Sequence, residues 1–335
     1  MAAFNVSLPK LQMSIDMAWN DAIQRAQYMA KVDGLRAQLQ RQTAQIGPYV
    51  TGSGKDAKKL TRTIYWPEIC TNTVASCTDE CLVATGEATD NSKDIAVTTC
   101  QEVGFVESFK RFRVSPLKYE DVIAKQFLLK MKALDEKLAK DYITFLEAHK
   151  GEHQATLTVG SNNSNDWEIP SVDWSADLIP QFIMDAELSR FSNPFLLDGA
   201  NFYTQLISAR ANQANADGKG TQNLFNQFDF VQDLVNVEAI APGKTYMVNP
   251  GAVAFLSANY WDTVPTPWAG VHRMWKMQSM NLPGVYYDVH EMETCTSDDF
   301  TVSYKIKAYA DFFLNPLGCD TDITGILAFE KLAGS

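Results

Sequence analysis

Between residues 119 and 149, large apolar side chains return every three or four positions: Ile123, Phe127, Met131, Leu134, Leu138, Tyr142 and Phe145. Lys125, Lys130, Lys132, Asp135, Glu136, Lys137 and Lys140 fall between them and are expected to fill the opposite face. This spacing predicts one long amphipathic helix of about 45 Å at 1.5 Å per residue. Pro116 precedes it, and Gly151 marks its stop. A weaker copy of the pattern, Leu11, Ile15, Trp19, Ile23 and Ala26, predicts a helix from 9 to about 46. Gly34 is expected to interrupt it and Gly47-Pro48 to end it.

From 61 to 117 the period changes. TRTIYW, CLVATG, DIAVTTC and FVESFKRFRV are short β-type runs separated by Thr, Asn, Asp, Gly and Ser, and GEATDNSKD at 86–94 reads as the tip of a long hairpin. Few large apolar residues occur between 70 and 104. Two strands so poor in core-forming side chains need a partner surface, so the hairpin is expected to project. Beyond a Gly- and Asn-rich loop at 160–166 the chain alternates. Helices are expected at 178–191 and 201–214, and a strand-turn at 192–199. A strand, Asn-Pro turn and helix are expected over 243–261, and strands at 284–293, 300–314 and 325–331.

Composition narrows the function classes. The 335 residues include 40 acidic and 29 basic side chains, a net charge of −11. A protein that grips nucleic acid by neutralising phosphates carries the opposite bias. Acidity of this size suits solubility and a wall that does not stick to its contents. No run of 18 apolar residues predicts a membrane span, and MAAFNVSLPKLQM lacks the pattern of a signal peptide, so folding in the cytosol of the producing cell is expected. Four of the six cysteines (70, 77, 81, 100, 295 and 319) fall as C-x6-C-x3-C-x18-C. That spacing departs from the CxxC pairs of structural zinc sites. Reduced thiols are the expected state, with disulfides formed after release as the alternative.

Catalytic chemistry finds little support. His149 and His153 are four apart, but Gly151 lies between them and no HExxH is present, so a surface pair is expected rather than a metal site. His290 sits beside Asp288 and Glu291 with no nucleophile motif near it. TGSGKD at 51–56 departs from the phosphate-binding loop, with Tyr49 and Asp56 where glycine and Ser or Thr are needed, and reads as a linker. No catalytic residue, metal or cofactor is therefore expected. Lys110, Arg111 and Arg113, interleaved with Phe109 and Phe112, form the one basic patch. It reads as a solvated strand face or as a contact with an acidic neighbouring subunit.

The order of parts resembles the HK97-like major capsid proteins of tailed bacteriophages. Locally, TYMVNPGAVAFL is similar to a strand-Asn-Pro-helix step of their axial domain, and YADFFLNPLG…GILAFEK to their closing strands. The resemblance implies an α+β chain divided into an N-terminal arm (1–60), an extended β-hairpin loop (61–118), a peripheral domain (119–174) with its spine helix at 119–150, an axial domain (175–295) and a return to the peripheral domain (296–335). It further implies a non-enzymatic subunit that forms pentamers and hexamers, assembles in the host cytoplasm and resides in the virion. Portal and any scaffold or decoration proteins would be its partners, and it would enclose DNA without binding it specifically. The same fold also serves encapsulin-type compartments, and another virion component is a further alternative.

Overall fold

The weaker N-terminal pattern folds as three short helices rather than one: α1 (Leu8–Asn20), α2 (Ala22–Tyr28) and α3 (Asp33–Arg41). The structure, a computed structural model, describes residues 8–41, 61–67, 90–112, 118–202, 229–260, 266–268, 272–295, 299–314 and 324–333. The first break comes at Asp21, whose carboxylate accepts from the Ile23 and Gln24 N–H groups and so caps α2. The second is an extended step after α2, where Met29 has φ −66° and ψ 122°. Gly34, expected to be a break, lies inside α3. A Cβ there would meet Leu197 Cδ1 and Asp233 Oδ2 at 3.0 Å, so the glycine permits close approach instead.

These helices pack on their own subunit. Leu11, Ile15, Ala18, Tyr28, Ala30, Val32 and Leu35 join the main hydrophobic core of their own subunit. The extended step is held by side chains from far along the chain. The Ala30 N–H donates to Asn281 Oδ1 at 2.9 Å, Asn236 Nδ2 donates to the Lys31 carbonyl at 2.7 Å, and the Gly34 N–H donates to Asp233 Oδ2 at 3.1 Å. Residues 8–41 are thus anchored in the core of their own subunit.

Next come β1 (Thr61–Pro67), β2 (Asp90–Ala96), β3 (Cys100–Ser108) and a one-turn helix, α4 (Phe109–Phe112). Strand β2 runs through residues 90–94, which were expected at a hairpin tip. The remainder of that tip, the run at 81–86 and the linker at 51–59 lie outside the described residues. The long helix is α5 (Tyr119–Ala148), as its periodicity requires. One assignment on it is corrected: Asp135, expected among the solvent-facing charges, is fully buried.

The rest comprises β4 (Ser161–Asn163), β5 (Asp166–Ile169), α6 (Ile179–Leu188), β6 (Phe195–Asp198), β7 (Asp229–Gln232), α7 (Leu234–Ile240), β8 (Lys244–Val248), β9 (Val253–Ala258), β10 (Thr266–Trp268), β11 (His272–Gln278), β12 (Tyr286–Cys295), β13 (Phe300–Leu314) and β14 (Ile326–Lys331). The helix expected after the Asn-Pro turn is a strand, β9, with all six residues buried. A short apolar run buried on both faces carries no period that separates helix from strand. The helix expected at 201–214 falls outside the described residues beyond Phe202.

Two six-stranded sheets result. One has the order β10-β11-β12-β13-β3, with β9 pairing the far end of β13, and the other has the order β4-β5-β14-β8-β6-β7. Helix α5 packs on the first. Phe127 meets Phe105 and Tyr304 edge-on at 5.2 and 5.1 Å between ring centroids. The second sheet buries its own core against α6, where Phe182 stacks on Phe329 at 3.7 Å. Within the first sheet β12 pairs with β11 and β13, whereas β14 pairs with β5 and β8 in the second.

Candidate assembly surface

Strands β1 and β2 form an antiparallel ribbon from Thr61↔Ala96 to Pro67↔Asp90, a two-stranded sheet separate from the two larger ones. Its root is fixed. Val97 is buried among Ala254, Leu256 and Ala258. The Thr98 and Thr99 N–H groups donate to Asp311 Oδ2 at 2.6 and 3.0 Å. One carboxylate thus clamps the point where the ribbon leaves β9 and β13.

The basic patch is only partly placed. Strand β3 ends because Asp299 takes over its donors: Oδ1 accepts the Lys110 N–H at 3.2 Å and Oδ2 the Ser108 hydroxyl. The Ser108 hydrogen bond, then those from the Lys110 and Phe300 backbone, hold Asp299 below the ordinary carboxylate range. Phe109 turns inward, 4.3 Å from the ring of Tyr119 and 5.0 Å from that of Phe300, while Lys110 is exposed. Arg111 lies on α4, not on a strand face as expected. Arg113 lies outside the described residues.

The outer face of the first sheet mixes charge and apolar surface. Val106, Ser303 and Met292 share one row of the ladder, with Val106 62% and Met292 40% exposed. On the neighbouring rows Lys305 donates to Glu102 at 3.0 Å. His290 is on this face. Burial, then Lys307 and Lys305, push its pKa down to about 4, so the ring is neutral at pH 7.

Behind these surfaces the subunit is tied by buried polar groups. Asp135 on α5 accepts from Ser279 at 2.8 Å, from Asn281 Nδ2 at 2.8 Å and from Tyr287, and Asn281 in turn holds the N-terminal segment. The C-terminal end of α5 reaches the second sheet through Glu147. It accepts from Lys150 at 2.7 Å, Lys244 at 2.6 Å and Tyr246 at 2.7 Å. Burial alone would raise Glu147; those three donors outweigh it and hold the carboxyl low.

His153, expected on the surface, has a buried side chain. Its Nδ1 lies 2.6 Å from Asp185 Oδ2 and its Nε2 lies 3.0 Å from the Ala328 carbonyl. Both ring nitrogens thus face acceptors. Asp185 also accepts the Gln154 and Ala155 N–H groups at 3.0 and 2.9 Å. Periodicity could have found Asp135. His153, which follows the spine helix in an irregular stretch, left no such signal. Cys100 and Cys295 are exposed, nine residues apart along the register of β13. The other four cysteines lie outside the described residues. Among the described residues there is no cluster of three metal-ligating side chains, and no helix is long and apolar enough to cross a membrane.

Neither a family model nor a curated protein matches the chain. Its fold is similar to that of the capsid asymmetric unit of cyanophage A-1(L). The TM-score is 0.54 at 10% identity, covering 91% of this chain and 94% of that chain. Looser likenesses join it to a chain of Mycobacterium phage Che8 and to a virus-like particle from Pyrococcus furiosus. The first has a TM-score of 0.47 at 12% identity over 80% and 84% of the two chains. The second has a TM-score of 0.42 at 12% identity over 96% and 99%. The cyanophage likeness carries the conclusion, which concerns architecture alone: mixed α+β, with the HK97-like fold.

Proposed function

We propose that this chain, which has the HK97-like fold, is the major capsid subunit of a tailed bacteriophage. It assembles with itself into pentamers and hexamers that tile an icosahedral shell around double-stranded DNA. The observation that carries the reading is the β1–β2 ribbon: a ladder that pairs only with itself among the described strands, rooted in a rigid sheet. An isolated two-stranded ribbon is marginal in water. The surface that completes it is an adjacent copy of the same chain, and such head-to-tail contacts close into rings when the rotation closes.

The rest of the chemistry suits a wall. The net charge of −11 opposes adhesion to the phosphates of packaged DNA, so the genome is enclosed without specific binding. The subunit performs no reaction and uses no cofactor or membrane. The portal, and any scaffold or decoration protein the virion uses, are its partners beyond itself, with assembly in the host cytoplasm and residence in the virion.

Negative-stain microscopy of the purified chain tests the reading, with closed shells expected. Replacing residues 61–96 by a short Gly-Ser linker is expected to leave a folded subunit that builds none. Shells at normal yield from that variant would remove the ribbon from the mechanism. Double-stranded DNA and a single portal vertex in particles isolated from infected cells separate a virus shell from a cargo compartment of the same fold.

A further inference from the structure

The extended step between α2 and α3 hangs on two buried carboxyl groups. Asp135 reaches it through the side chain of Asn281. Nδ2 of that amide lies 2.8 Å from Asp135 Oδ2 and 3.4 Å from the Tyr28 carbonyl, while its Oδ1 takes the Ala30 N–H. Asp233 reaches the step directly, accepting the Gly34 N–H. Arg36 on α3 donates to the Asn281 carbonyl, and Lys132, three residues before Asp135 on α5, donates to the Gln27 carbonyl. One amide therefore separates Asp135 from the backbone that must lift for water to enter.

What faces the two carboxyls sets their response to pH. Tyr287 from β12, and Ser279 and Asn281 from the loop before it, give Asp135 only neutral partners. Glu136, next to it on α5, repels it, and Tyr28 in the step is buried and keeps its phenol proton. A buried carboxylate with no cation among its partners is costly, and burial raises its pKa to about 6 against the three hydrogen bonds. Asp233 shifts the same way, raised by burial against the hydrogen bonds from Asn236 and Gly34, with Asp33 adding to the rise. Arg41, at the end of α3, is taken up by Asp229 at 2.8 Å. The neutral form of Asp135 fits its site. Ser279 Oγ already accepts the Asn281 and Leu282 N–H groups at 3.1 and 3.0 Å, so the proton belongs on Oδ1, facing the Tyr287 hydroxyl, which accepts as well as donates. Oδ2 stays an acceptor for Asn281, and the bridge to Tyr28 is unbroken.

We propose that the step between α2 and α3 is an acid-tightened clasp: a proton on Asp135 locks it against α5, and loss of that proton lets residues 27–34 open to water. Opening hydrates the carboxylate, whose pKa then returns toward 3.8. Acid therefore favours the closed step, and the preference fades as the pH rises from about 4 to about 6. Helix α1 keeps its own apolar anchors, Leu11 and Ile15, so the opening is confined to the step. The clasp belongs to the fold of one subunit and is independent of the capsid reading.

Hydrogen–deuterium exchange of the purified full-length chain at pH 4.5 and 7.0 tests it, with protection taken relative to the intrinsic rate at each pH. Peptides covering residues 28–35 are expected to lose at least about tenfold in protection at the higher pH. Peptides from β13 are expected to lose much less. Asp135→Asn, an uncharged isostere of the protonated acid, is expected to hold residues 28–35 at pH 7.0 near the wild-type protection at pH 4.5, leaving the smaller dependence due to Asp233. Three results overturn the proposal: equal protection of 28–35 at both pH values, a loss no larger than that of β13, or an unchanged pH dependence in Asp135→Asn. If that variant does not fold, the wild-type comparison of 28–35 with β13 decides alone.

Discussion

Asp135 is one of the buried carboxyls through which solvent pH reaches the core. Burial, opposed by hydrogen bonds from Tyr287, Asn281 and Ser279, raises its pKa from 3.8 to about 6. An acid whose folded pKa exceeds its unfolded value holds its proton more tightly in the native state. Its stabilising contribution is full below pH 3.8 and is lost as the pH rises through 6. The difference corresponds to roughly 3 kcal/mol. Asp135→Asn is expected to reduce the slope of that part of the profile, which Asp198, raised by burial to about 6, also shares, and urea midpoints for both proteins from pH 4 to 8 check it; parallel profiles would refute the assignment. Phe127, fully buried on the same helix, gives a second test. Phe127→Asp places an unpaired charge there and is expected to cost at least about 3 kcal/mol, read as a fall in melting temperature. The sequence held the clue to Asp135 in its position rather than its type: it follows Met131 by four residues and precedes Leu138 by three. Residue type suggested the solvent face; helical angle puts it on the apolar stripe.

Among elements, legibility followed length. The thirty residues of α5 carry enough repeats for the period to be unmistakable, and the alternating burial of β13 is equally plain. Short elements were decided by partners the sequence does not reveal. The break at Asn20 and Asp21 follows from a cap that α2 could not do without. Strand β9 became a strand because β13 supplied its ladder. Gly34 was read as a break on propensity, yet its use is proximity to Leu197 and Asp233. Gly34→Val is therefore expected to destabilise by about 1–3 kcal/mol through overpacking, despite valine's better helix propensity. Denaturant unfolding of the variant decides, and an unchanged midpoint would show that α3 does not press on β6.

For the whole molecule, the order of parts was readable and their attribution was not. A charged spine helix, a two-stranded projection and a mixed α/β remainder can be laid out from periodicity and turn residues. Sheet membership, which sends β12 to the spine and β14 to the other sheet, depends on pairings far apart in sequence. The basic patch was legible as composition, but only Lys110 of its three residues has a described, exposed side chain. The loss of shells on replacing residues 61–96, with the subunit still folded, remains the decisive expectation at this scale.

The clasp between Ala30 and Asn281 spans 251 residues. A ribosome adding roughly 5–20 residues per second needs about 13–50 s to supply the second partner after the first has emerged. For the first part of that interval, until α5 is made, the apolar flank of the earliest helices has nothing of its own chain to settle on, and the extended step after α2 waits longer still for Asn281. Completion of the subunit is thus timed by synthesis of its last quarter, which must leave the ribosome before the first segment is locked in place.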